Sequence, residues 1–364
     1  MTTRPTRRIL IIGAAIAALS LSACAAPNQS SDDAVPSGKD AVASESAMAE
    51  TLAFIDAGLP DLEGAKIAYL TECATENAFC QRRWQGAQDA AKELNADITL
   101  FNAGFDVNAQ QSQVEDAIQR GFDGYILSPV ADAPGCANFE TLSETGAPIV
   151  NINSPMCGNP DFTEGTSGFV AMQTELFFYQ HVSNAFESCE DECKAIAVGG
   201  FVGSDLYTRW QDAIARAAEE HPNVTVVSEQ PGNFDPSVAL GVVQDALQAN
   251  PDAEIVLSSW DDMTRGVEEG VRAAGLTPRE DVRIYSVAGT EYGVERVLDG
   301  AWTSTSVLLP YEESYYGVVQ LARALREGAA TEGFTYLAEA PRIVDGPGAI
   351  FLTSDNASGF EPGY

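Results

Sequence analysis

KIAYLTECATENAFCQRRWQGAQDAAKELNADITLF, residues 66–101, carries the pattern on which the fold turns. It opens on KIAYL, 66–70, a short strand of the buried type. A helical spacing follows over 79–95, in which Phe79, Trp84, Ala87, Ala91 and Leu94 share one face. DITLF, 97–101, reads as a second strand. Between the first strand and the helix lies a polar insert bracketed by Cys73 and Cys80. Three chemistries place two cysteines there: a metal site, a redox pair, or a disulfide that shapes the rim of a ligand mouth.

The strand–helix alternation continues outward. The spacing predicts helices over 107–121 and 137–146 and strands over 124–128 and 148–152. A second cycle begins with a long helix over 168–188. Strands follow at 194–200, 224–228, 254–259, 282–287 and 303–308, with helices between them and a last helix over 311–328. Two successive runs of this kind imply two parallel α/β lobes with helices on both faces of each sheet. Ligands of such sheets bind beyond the carboxyl ends of the strands. The polar clusters at 71–77, 128–132, 151–154, 260–262 and 289–292 all sit at those ends. Two such edges facing each other make a cleft.

The rest of the chain bounds the class. Arg4, Arg7 and Arg8 precede an apolar run over 9–23, and Cys24 follows small residues in LSAC. That is an export leader, too short and wrongly flanked for a permanent span. LSAC resembles a bacterial lipoprotein cleavage box, which implies a lipid on Cys24. Residues 25–50 are Ala/Ser-rich without apolar period and read as a flexible tether. The formal charge of −33 repels phosphate backbones, so nucleic acid is not an expected partner. Apart from Cys24 there are Cys73, Cys80, Cys136, Cys157, Cys189 and Cys193, an even set outside the cytosol, which reads as disulfides. Proximity favours Cys73–Cys80 and Cys189–Cys193, and Cys136–Cys157 remains. No CxxC unit is present and the histidines are His181 and His221, so neither zinc nor a redox centre is expected. GxSxG, HExxH and GxxxxGK[ST] do not occur. An enzyme is not expected, and neither is a cofactor.

The order KIAYL…NAFCQRRWQGAQDAAKEL…VNAQQSQVEDAIQRGFDGYILSPVADA…APIVNIN, followed by VGGFVGSDLYTRWQDAI…GNFDPSVALGVVQDALQANPDAEIVLSSWDDMTRGVEEGVRAAG, resembles the periplasmic sugar-binding proteins of the ribose-binding type. The resemblance implies a type I periplasmic binding protein: two Rossmann-like lobes with parallel sheets, joined by a three-strand hinge near 160–166, 307–311 and 329–336. It implies a leader at 1–23 and a lipid-anchored tether at 24–60. The N-terminal lobe would hold 61–163 plus 308–330. The C-terminal lobe would hold 164–307 plus 331–364, with a strand near 341–344. Such proteins close on a small polar solute and hand it to the permease subunits of an ABC importer. A monomer on the outer face of the cell membrane, held by its N-terminal lipid alone, is the expected form. A ligand module for a chemoreceptor or sensor kinase, or a carbohydrate-active enzyme, are the other readings. The family's regulators carry a DNA-binding head where this chain has its leader and tether.

The resemblance also implies site residues. Asn77 and Phe79 match a motif whose asparagine bonds hydroxyls and whose aromatic stacks on a sugar. Gln113 and Asp132 match polar positions near the pocket. Arg209 matches a hydroxyl-binding arginine, and Phe234 in GNFDP a stacking position. Each has a plainer alternative: packing for Phe79 and Phe234, a solvated helix position for Gln113, a helix N-cap for Asp132, a surface cation for Arg209. The pattern departs from the family at Cys80, Trp260, Ala288 and Leu308, where an aromatic, an asparagine, an aspartate and a glutamine are usual. Glu72, Asp262 and Tyr292 are candidates for other polar contacts. Three hydrogen-bonding side chains replaced by apolar ones argue for a less hydroxylated or more aromatic-friendly solute than ribose. The carboxylates argue for a hydroxyl-rich or cationic one.

Overall fold

The computed structural model describes Ala53 and residues 57–158, 163–327, 335–337 and 350–364. The leader, Cys24, the tether up to residue 52 and the strand expected near 341–344 lie outside the described residues.

The first sheet is built from β1 (Lys66–Thr71), β2 (Asp97–Asn102), β3 (Gly124–Leu127), β4 (Ile149–Ile152), β5 (Phe169–Ala171) and β11 (Thr335–Leu337) in the order β11-β5-β4-β3-β1-β2. The second holds β6 (Cys193–Gly199), β7 (Val224–Pro231), β8 (Ile255–Ser258), β9 (Arg283–Ala288), β10 (Ser304–Val307) and β12 (Phe351–Leu352) in the order β12-β10-β9-β8-β6-β7. All pairs are parallel except β10 with β12. The central strands are buried over almost their whole length, which is why they read as continuous apolar runs rather than alternating ones.

The helices are α1 (Ala78–Glu93), α2 (Val107–Arg120), α3 (Asp132–Ser143), α4 (Glu175–Phe186), α5 (Asp205–Glu220), α6 (Pro236–Ala249), α7 (Asp261–Ala273), α8 (Glu291–Leu298) and α9 (Pro310–Glu327). Their starts are chemically marked. Asn77 accepts from Cys80 N–H, Asp106 from the N–H groups of Asn108 and Ala109, and Ser204 from Tyr207 N–H. Two glycines permit close helix contacts. A Cβ on Gly86 would lie 2.1 Å from the carbonyl oxygen of Tyr311 in α9, and one on Gly266 only 1.7 Å from that of Pro236 in α6. No helix among the described residues is long and apolar enough to cross a membrane.

One expected element divides. The predicted helix over 168–188 is a strand, β5, followed by α4. Thr174 explains the break: its hydroxyl accepts from Phe177 N–H at 3.1 Å and starts the helix there. The preceding Phe-Val-Ala run is apolar and pairs with β4. Gly168, at φ +133°, fits against Gln320, where a Cβ would meet the side chain at 2.8 Å. The passage from the first sheet to the second therefore follows Ala171, not 160–166, and β11 joins the first sheet although its residues were expected in the other lobe.

Three disulfides are closed: Cys73–Cys80, Cys136–Cys157 and Cys189–Cys193. Among the described residues the one metal-like grouping is Cys73, Glu76 and Cys80. Its two sulfurs are bonded to each other and offer no thiolate.

Candidate functional site

Between the facing strand ends lies a cavity of about 250 Å³. The first sheet contributes the turn after β1 (Glu72, Cys73), the start of α1 (Asn77, Phe79, Cys80), Phe105, the 129–132 loop, Asn153 and Ser154. The second contributes Phe201, the start of α5 (Ser204, Asp205, Leu206), Asn233, Phe234, Ser259 and Trp260, with Gln173 and Leu308 at the crossings. Backbone strain concentrates here. Phe105, Asn153, Asn233 and Phe234 hold φ values of +62°, +71°, +55° and +53°.

Four rings run in sequence along one wall. Phe105 meets Phe201 at 6.5 Å between centroids, Phe201 meets Phe234 at 5.2 Å, and Phe234 meets Trp260 at 5.7 Å. Phe105 belongs to the first lobe and Phe201 to the second, so the row spans the mouth. Gly200 makes room for it, since a Cβ there would lie 2.3 Å from the Phe234 ring. Phe79 stands apart, edge-on to Tyr364 at 6.0 Å.

The polar groups are held from behind. Arg83 is fully buried and binds three partners: Glu72 through Nη1, Ser128 Oγ at 2.8 Å and Glu313 at 2.9 Å. Burial pushes the Glu313 carboxyl up to about 7, against the pull of Arg83. Gln110 donates to Ser128 O at 2.8 Å and accepts from Val130 N–H at 3.1 Å, bracing the loop that carries Asp132. On the other side Arg209 pairs with Asp205 at 2.6 Å and donates to Gln173 O at 2.6 Å. Burial raises the Asp205 carboxyl above the usual carboxylate range, the charge of Asp132 adds to this, and Arg209 opposes it. Asn77 spends its oxygen on the α1 cap, and its amide nitrogen has no hydrogen bond among the described residues. Asp132 is not the N-cap of α3; Ala131 occupies that position. Asp132 Oδ1 and Ser259 Oγ are buried without a hydrogen-bond partner among the described residues.

Of the residues named from the sequence, Glu72, Asn77, Phe79, Asp132, Phe234 and Trp260 line this cavity. Gln113, Arg209, Asp262 and Tyr292 do not. Gln113 of α2 donates to Asn102 O at the end of β2, at 2.7 Å. Arg209 reaches the cavity through Asp205 and Gln173, not by its own surface. Asp262 pairs with Arg265 at 3.2 Å, and Arg265 in turn lies 3.8 Å over the Tyr292 ring, which packs on Trp302. The end of β9 is met by the last residue of the chain: Tyr364 donates to Ala288 O at 3.1 Å and accepts from Glu291 N–H at 3.0 Å. Asp261 is wholly buried beside this strand and accepts from Ser286, Thr305 and, twice, Thr290 at 2.6–2.9 Å. It is a structural carboxylate.

Sequence reasoning missed Asp205, Ser259, Phe105 and Phe201. Asp205 was legible as the partner one helical turn before Arg209. The other three follow strand ends, where only position, not residue type, marks them.

A family model described as "Periplasmic binding protein domain" matches residues 67–330. The D-apiose import binding protein of Actinobacillus succinogenes is 24% identical over 321 residues, 85% of this chain and 92% of that one. The ribose import binding protein of Escherichia coli is 23% identical over 255 residues, 69% of this chain and 81% of its own. Among solved structures, a galactofuranose binding protein superposes with a TM-score of 0.70 at 16% identity, covering 81% of this chain and 96% of that one. A solute-binding protein from Bacillus halodurans with bound myo-inositol reaches 0.67 at 18% identity, covering 84% and 100%.

Proposed function

Because the chain belongs to the periplasmic binding protein family, we propose that it captures a small hydroxyl-bearing solute, a sugar or polyol, between its lobes and delivers it unaltered to the permease of an ABC importer. The observation that carries this reading is the composition of the cavity: an aromatic row from both lobes, with carboxylates and amides set among the rings. Ring faces cover the C–H surface of a saccharide, and each buried hydroxyl needs a polar partner. Relatives named for the import of D-apiose and ribose and for the binding of xylitol support the solute class. Phe105 against Phe201 spans the mouth, which limits the entry of water and so strengthens the polar contacts inside. Buried pairs behind the wall keep Glu72 and Asp205 in place before the solute arrives, lowering the ordering cost of binding. The cavity's carboxylates bind and orient; they are not given an acid–base task in this reading.

The leader and LSAC support export and a lipid on Cys24, which would hold the protein on the outer face of the membrane beside its permease. Mass measurement of the protein from membranes tests this. A diacylglyceryl mass on a chain beginning at Cys24 is expected, and an unmodified cysteine refutes it. Thermal-shift screening against pentoses, hexoses, polyols and cyclitols tests the capture itself. A bound solute at about a hundred times its Kd stabilises the native state by about 2.7 kcal/mol. An unmoved melting temperature across the panel speaks against the reading.

A further inference from the structure

Resting on the reading of the cavity as a solute site, we propose that the solute carries a protonated amine, as an amino sugar or amino cyclitol does, and that Asp132 is the residue that selects it.

Three carboxylates line the cavity: Glu72, Asp132 and Asp205. Glu72 has Arg83 behind it, and Asp205 has Arg209. No arginine, lysine or histidine pairs with Asp132 among the described residues. It stands in the first turn of α3, at the positive end of that helix. Asp132 is therefore the cavity carboxylate that no basic side chain among the described residues pairs with. Asp205 from the opposite lobe feels that charge.

Closing the lobes on a neutral solute would leave this carboxylate away from water, facing hydroxyl dipoles alone. Closing them on an ammonium group cancels the charge and supplies three N–H donors. A second acceptor is in place: Ser259, 4% exposed, has an Oγ that no described residue engages. Phe234 and Trp260 line the same cavity, and aromatic rings favour a cation over an anion. Acidic and phosphorylated sugars are disfavoured by the same charge.

The test titrates the purified protein with matched pairs: D-glucosamine and D-glucose, D-galactosamine and D-galactose, an inosamine and myo-inositol. At pH 7 the amine of at least one pair should bind ten-fold or more tightly than its neutral partner. In Asp132→Asn that preference should shrink at least ten-fold, with little change in the melting temperature of the free protein, since Asp132 Oδ1 has no hydrogen-bond partner among the described residues. Acetylation of the preferred amine should abolish its advantage. If neutral members bind as well as or better than the amines, or if the amine preference survives in Asp132→Asn, the inference falls and capture of a neutral solute stands. If no member of any pair binds but a pentose or polyol does, the inference falls and capture stands; if none of these solutes binds either, the two fall together.

Discussion

Glu313→Gln isolates the buried charge network beneath the cavity. Glu313 lies on α9, fully buried, and shares Arg83 with the cavity residue Glu72. Its carboxyl is raised from 4.5 to about 7, burial outweighing the attraction of Arg83. The native state thus holds this proton longer than the unfolded chain does. Stability from this group is fully present below pH 4.5 and is lost as the pH rises to about 7. At 1.36 kcal/mol per pH unit the loss is about 3 kcal/mol. Glutamine keeps the neutral shape and cannot ionise, while Arg83 retains Glu72 and Ser128. The variant should match the parent at pH 4.5 and exceed it by up to about 3 kcal/mol at pH 8. Urea denaturation of both proteins across that range measures it. Burial also raises Asp205 and Asp261, so the parent alone has a compound slope. The difference between parent and variant removes those terms. A difference that is flat in pH, or a variant less stable than the parent at pH 8, would refute the account of Arg83 and its two carboxylates.

Phe234→Ala and Trp260→Ala should each weaken solute binding by about ten-fold or more, while Asp262→Asn and Tyr292→Phe leave it within about two-fold; titration of the four variants separates the cavity wall from residues outside it. Gly200→Ala should push the Phe234 ring out of its row and reduce affinity with little loss of melting temperature, because the ring is at the mouth and can move. Joint replacement of Cys73 and Cys80 by alanine should lower stability by about 2 kcal/mol through the freed unfolded chain and weaken binding by loosening the rim, both read by denaturation and titration at one pH.

The strand–helix alternation was legible because these strands are buried on both faces and so read as short continuous apolar runs. The 168–188 segment misled for the same reason: Phe-Val-Ala and the helix behind it are both apolar, and periodicity does not separate a buried strand from a buried helix. Only Thr174, a cap residue inside the run, marked the division. Cavity residues at strand ends were legible by position. Arg209 was read from the sequence as a hydroxyl-binding residue, whereas it lies off the cavity against Asp205 and Gln173, since sequence does not tell which end of an ion pair lines a cavity. Asp261 and Asp262 were equivalent on paper; the hydroxyls of Ser286, Thr290 and Thr305, distant in the chain, draw the first inward. Tyr364 could not be foreseen at the end of β9, because nothing local ties the final residue to that strand.

The most direct measurement is equilibrium dialysis of the purified protein against a mixed panel of neutral and aminated sugars, polyols and cyclitols, followed by mass spectrometry of what it retains. The account predicts a single solute at one molecule per chain, with its mass unchanged and with retention lost in Trp260→Ala. A retained solute of altered mass, continuing depletion of the panel, or no saturable retention at all would contradict it.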